Sequence, residues 1–143
     1  MEKRPIYLDC HGTTPMDTRV LEAMIPYFVE HFGNAGSINH LYGWEAESAI
    51  KLARQTLAEA IGASPEEIIF TSGATEANNL ALKGVAESYF SQGRHIITVA
   101  TEHRAILDPC QYLENLGFQV TLLPVKPNGL IDLEALEKAL RED

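Results

Sequence analysis

The sequence predicts an α/β fold with a mostly parallel sheet and flanking helices. Three observations carry this. Residues 95–100 (HIITVA) form a near-continuous apolar run, as a strand covered on both faces should, and residues 118–125 (FQVTLLPV) read as a further strand. A third run, Ile68-Ile69-Phe70, is β-branched and aromatic. Stretches with helical apolar spacing alternate with these runs, which is the pattern of βα units.

The chain opens with a short extended piece, RPIYLDC, that runs into Gly, Thr and Pro. Asp17 suits the N-cap of a helix with Val20, Leu21, Met24 and Phe28 on one face, and Pro26 should kink or split it. Residues 32–40 (FGNAGSINH) read as a loop. A long helix is expected over about 43–61, with Ala49, Leu52, Ala53, Thr56, Leu57 and Ala60 as a buried stripe and Gly62 as its stop. After the 68–70 strand comes a helix over about 75–90. The 95–100 strand leads into a helix with Ile106, Cys110, Leu113 and Leu116 inward, ended by Gly117. Pro109 fits only the first turn of that helix, with Asp108 as cap. Asn128-Gly129 turns the chain, and Asp132 opens a last helix resting on Leu133, Leu136 and Leu140. Three short strands are few for such a sheet, so an edge strand with unpaired backbone groups is expected.

The 143 residues suit one domain, large enough for a core. A net charge of −9 argues against nucleic-acid partners, which need a basic face. No apolar run is long enough for a membrane span, and the start of the chain has no signal-peptide core. Cys10 and Cys110 have no metal-ligand spacing, so no metal site is expected and a cytoplasmic, disulfide-free protein is the default.

Ser72-Gly73-Ala74-Thr75 follows a strand and opens a helix. Ligands of parallel sheets bind at the carboxyl ends of strands. The free N–H groups of a helix start attract anions, and small residues let a phosphate come close. The loop is neither a Walker A motif nor GxGxxG, and a tight turn without a ligand stays open as a reading. His103 follows the next strand. If the strands are neighbours, its imidazole can stack on an aromatic ligand or move protons beside that loop. The alternative is a surface histidine at a helix start.

The segments YLDCHGTTP, FGNAGS, YGWEAE, FTSGATEANNLALKG, TEHRAILD and NGLIDLEALEKAL resemble, in order and spacing, the amino-terminal part of the NifS/IscS-like cysteine desulfurases. These are class V enzymes dependent on pyridoxal 5'-phosphate (PLP), with the fold type I architecture. The resemblance implies an incomplete fold. Residues 1–40 would form the family's amino-terminal arm, helix and loop, and residues 41–143 the first part of its large PLP-binding domain. It implies that Gly73, Ala74 and Thr75 hold the cofactor phosphate, and that His103 stacks on the pyridine ring and assists proton transfer. It also implies that Asn34 lies near the substrate. Ala35 stands where the family usually has proline, and Gly12 where it usually has alanine.

The resemblance further implies L-cysteine as substrate, a sulfur acceptor or iron–sulfur scaffold protein as partner, and a homodimer. Two family residues have no match: the lysine that forms the Schiff base in a Ser-x-His-Lys context, and the cysteine nucleophile. Lys83 reads as solvated, and Cys110 as core. Alone, the chain should be inactive and hold PLP weakly or not at all. A selenocysteine lyase, an aminotransferase, or a non-catalytic split subunit or remnant would share this sequence pattern.

Overall fold

A computed structural model describes residues 5–142. The helices are α1 (Thr18–Val29), α2 (Leu41–Ile61), α3 (Ala74–Ser88), α4 (Arg104–Asn115) and α5 (Leu133–Ala139). The strands are β1 (His95–Val99) and β2 (Gln119–Leu123). A 3-10 turn covers Pro65–Glu67. The chain forms two compact units, one through Ile69 and one from Phe70.

In the first unit, Asp17 caps α1 by accepting the Arg19 N–H at 2.9 Å. Pro26 does not split α1, contrary to expectation. The helix runs on to Val29, and the Pro26 carbonyl accepts the N–H groups of Glu30 and His31, each at 2.8 Å. The proline removes one donor, toward Glu22; that residue faces solvent, where water can serve its carbonyl. Gly62, in the left-handed region at φ 71°, ends α2. The expected stripe on α2 is not buried. Gly43, Ala46 and Ala58 are the buried residues, while Leu52 and Leu57 are 66% and 46% exposed. Periodicity marks the face of a helix that can be covered, but not how much of its length is.

Two glycines tie residues 33–40 to the start of α2. A Cβ on Gly33 would lie 2.0 Å from the Tyr42 carbonyl oxygen. One on Gly43 would lie 1.7 Å from that of Ser37. The Trp44 indole also donates to the Ile38 carbonyl at 2.7 Å.

Residues 68–70 are not a strand, which corrects the third sequence prediction. The Arg54 guanidinium donates to the Ile68 carbonyl, and among the described residues no strand pairs with this segment. A short β-branched run becomes a strand only where a partner lies beside it.

In the second unit, β1 and β2 pair in parallel, His95 opposite Gln119 and Val99 opposite Leu123. The register is marked by Gln119 N–H to Arg94 O at 2.8 Å and Ala100 N–H to Leu123 O at 2.9 Å. In a parallel ladder this directs the even-numbered backbone groups of β1 at β2. The groups of His95, Ile97 and Val99 therefore face the other edge, where no third strand lies among the described residues.

The core gathers Ala86 of α3, Leu113 of α4 and Phe118, with Ile96 packed against it. Cys110 and Leu113 are its most buried side chains. Leu116 is 48% exposed rather than inward, because it lies beyond the last turn of α4 at the cap. Only Leu136 of the three leucines expected under α5 is even half-buried.

Pro109 also departs from expectation. It is buried inside α4, which begins at Arg104 with His103, not Asp108, as its N-cap. The His103 side chain accepts a main-chain N–H and so starts the helix one turn earlier than the proline rule suggests. Among the described residues no helix is long and apolar enough to cross a membrane.

Candidate active site

Two helix starts build the site, both in the second unit. The first is at α3. Its N-cap is Gly73, at φ 156° and ψ −177°, which offers no side chain. Glycine alone adopts this backbone readily, and a Cβ there would meet nothing within 4 Å. The first helical N–H groups, of Ala74, Thr75 and Glu76, find no acceptor among the described residues. The expected free donors are present, although they follow an irregular segment rather than a strand.

Ser72 is held from the helix side. The Glu76 carboxylate accepts its N–H at 2.7 Å and its hydroxyl at 2.6 Å. These bonds, the hydroxyl's first, hold the Glu76 carboxyl below the ordinary glutamate range. Thr71 Oγ1 donates to the Gly73 carbonyl at 3.2 Å.

The second start is at α4. His103 Nδ1 accepts the Ala105 N–H at 3.0 Å. With Nδ1 an acceptor, the neutral ring carries its proton on Nε2. Protonation at Nδ1 would cost α4 its cap.

α3 and α4 pack on each other, and their N-terminal parts line an open cleft of about 320 Å³. Thr75, Asn79 and Lys83 line one wall, and His103, Arg104 and Asp108 the other. Thr75 and His103, singled out in the sequence, thus share one cleft. Asn34 belongs to the first unit, where its Oδ1 accepts the Gly36 N–H at 2.8 Å. Cys10 is exposed and Cys110 buried, and burial raises the Cys110 thiol first of all.

Lys83 is not the solvated side chain expected. It is half-buried, with Nζ 4.4 Å from the centre of the Tyr112 ring. Sequence reasoning missed Asn79 and Lys83 as cleft residues. Their spacing from Thr75, at i+4 and i+8, places all three on one helix face and was the available signal. Asn79 donates to the Thr75 carbonyl at 2.9 Å, while Arg104 lies 3.5 Å from Asp108.

Comparison with known proteins places this geometry in a family. The pattern described as "Aminotransferase class-V" matches residues 6–143. The "Cysteine desulfurase, mitochondrial" of Drosophila melanogaster is 58% identical over 99% of this chain and 31% of its own length. The "Cysteine desulfurase IscS" of Rickettsia massiliae is 56% identical over 96% of this chain and 34% of its own. Among solved structures, a "NIFS-LIKE PROTEIN" superposes with a TM-score of 0.88 at 44% identity, covering 96% of this chain and 38% of that one. "SspA in complex with cysteine" gives 0.83 at 43% identity, covering 94% and 39%. The chain thus spans about a third of the length of the curated relatives it matches. With nearly every residue from position 6 onward matched, this chain belongs to the class-V aminotransferase family.

Proposed function

We propose that this chain is the amino-terminal portion of a PLP-dependent cysteine desulfurase. The reaction converts L-cysteine to L-alanine and passes the sulfur to an enzyme cysteine as a persulfide, for iron–sulfur cluster assembly. One observation carries the reading: the open helix start at Thr75 and the ring of His103 line the same cleft. Identity of 56–58% to cysteine desulfurases over nearly the whole segment supports the substrate.

The residues fit the cofactor's phosphate. Three unoccupied N–H donors lie behind a glycine whose missing Cβ leaves open space. Gly73, Ala74 and Thr75 would hold the phosphate, with the Thr75 hydroxyl as a further donor. The His103 ring would lie against the pyridine and present its Nε2 proton to the reacting atoms. Asn34 would stand near the substrate. PLP, when bound, supplies the electron withdrawal from the amino-acid Cα, and the chain's part is to bind and orient.

Residues 1–40 are assigned as the family's arm, helix and loop, and 41–143 as the start of its large domain. The unpaired cysteines suit a reducing compartment such as the cytoplasm. A homodimer, and a sulfur acceptor or scaffold protein as partner, complete the proposal.

No lysine lies in a Ser-x-His-Lys context, so the 143-residue chain should retain no visible PLP band after dialysis and release no sulfide from L-cysteine. Adding the carboxy-terminal two-thirds of the Rickettsia relative as a separate chain should produce both. Sustained turnover by the chain alone would overturn this division of roles. A stable complex of the two chains that consumed L-selenocysteine but not L-cysteine would overturn the substrate.

A further inference from the structure

We infer that Glu76 is a positioning residue for the phosphate: it keeps the donors of the Gly73–Thr75 loop open, while its charge holds phosphate affinity below what the loop could reach. The inference rests on the reading of that loop as the cofactor's phosphate site.

A helix N-cap is usually a side chain whose oxygen takes the N–H at the second or third helical position. At α3 this would consume the donors of Thr75 or Glu76. The cap is Gly73, which cannot do so, and the next candidate is the hydroxyl of Ser72. Glu76 engages that candidate, since the hydroxyl donates to the carboxylate at 2.6 Å and makes no cap bond to the helix N–H groups.

The 3-10 turn at Pro65–Glu67 shows the contrasting arrangement. There Ser64 is itself the N-cap, and its N–H and hydroxyl reach Glu67 at 2.7 and 3.0 Å. At α3 the serine and glutamate are one residue further apart, at i and i+4. The inserted residue is Gly73, and the helix start is left uncapped by any side chain.

The same carboxylate opposes the ligand. The hydrogen bonds from Ser72 keep it ionised at neutral pH, in the helix turn where the phosphate would sit. Preorganisation and repulsion therefore act through one residue, and substitutions separate them. Glu76→Gln keeps an acceptor for Ser72 without the charge. Glu76→Ala removes both. Glu76→Asp keeps the charge but is one methylene too short to reach Ser72.

The test is titration of the full chain, isotopically labelled, with inorganic phosphate and with PLP, read from the amide resonances of Ala74 and Thr75. Glu76→Gln should bind about two- to fivefold tighter, the span of a screened repulsion between two exposed like charges. Glu76→Ala and Glu76→Asp should bind more weakly than the parent chain. The Ser72 amide should titrate with a midpoint below the ordinary glutamate range in the parent, and not at all in Glu76→Gln. Equal tightening by the glutamine and alanine variants would mean charge alone acts, and equal affinities throughout would mean Glu76 serves only folding; either overturns the inference. Should Glu76→Ala fail to fold, the aspartate and glutamine variants decide the matter. Binding of inorganic phosphate by no variant, the parent included, overturns the phosphate loop itself.

Discussion

Gly73 holds a backbone geometry that alanine adopts only under strain, yet space around it is open. Gly73→Ala should therefore destabilise by about 1–3 kcal/mol through backbone conformation alone. Denaturant melts check this, and an unchanged midpoint would show that the loop relaxes into another shape. His103 has two roles to separate. Asparagine also caps helices, so His103→Asn should melt near the parent chain, whereas His103→Ala should lose about 1 kcal/mol. Both should lose the proposed ring contact, seen as weakened PLP binding by the complemented enzyme. Thr75 and His103 were legible because small residues before a helix, and a histidine after a strand, are local signals. The Ser72–Glu76 pair and the position of Lys83 over Tyr112 were not. They depend on rotamers and on which helix packs alongside.

Among the elements, helix boundaries were read best. Asp17, Gly62, Gly117 and Asp132 act locally, through caps and left-handed glycines, and each ends or begins a helix where expected. Both prolines were misread, because a cap or a solvent-facing carbonyl outweighed the lost donor. The 68–70 segment was misread because a strand is a property of a pair. The α3–α4–β layer holds a hydrophobic core cluster, and Leu113 is fully buried in it. Leu113→Ala should cost about 2–5 kcal/mol. Hydrogen exchange should show the second unit losing protection, while the first unit's amides change little. Uniform loss in both would show that the two units fold as one.

Across the whole molecule, charge and apolar surface work against each other. The net charge of −9 keeps copies apart at neutral pH, while Val20, Phe28, Leu52 and Val85 stand at least half exposed. Near the pI of about 5.0 this repulsion vanishes, so sedimentation should show association growing from pH 7 toward pH 5. A monodisperse monomer at both would mean that the exposed apolar residues do not form a sticky surface.

Stability follows a different course. Asp17, Glu67, Glu76 and Asp132 are all held below their ordinary ranges, chiefly by bonds from Arg19, Ser64, Ser72 and the Glu134 N–H. A depressed folded pKa gives stability that is full above the unfolded value and lost as pH falls through the folded one. The melting temperature should therefore hold from neutral pH to about the ordinary carboxylate range and decline below it. A rise on acidification there would contradict these bonds.

The two glycines that bind residues 33–40 to α2 bear on how this stretch can drift over generations. Because the chain at Gly33 and Gly43 approaches another backbone more closely than any side chain permits, the loop's path is imposed from outside its own sequence. Position 35 is then free to exchange residues without redrawing that path, whereas Asn34 also ties the loop by accepting the Gly36 N–H. A saturation library should show the contrast: broad acceptance at Ala35, near-total intolerance at Gly33 and Gly43.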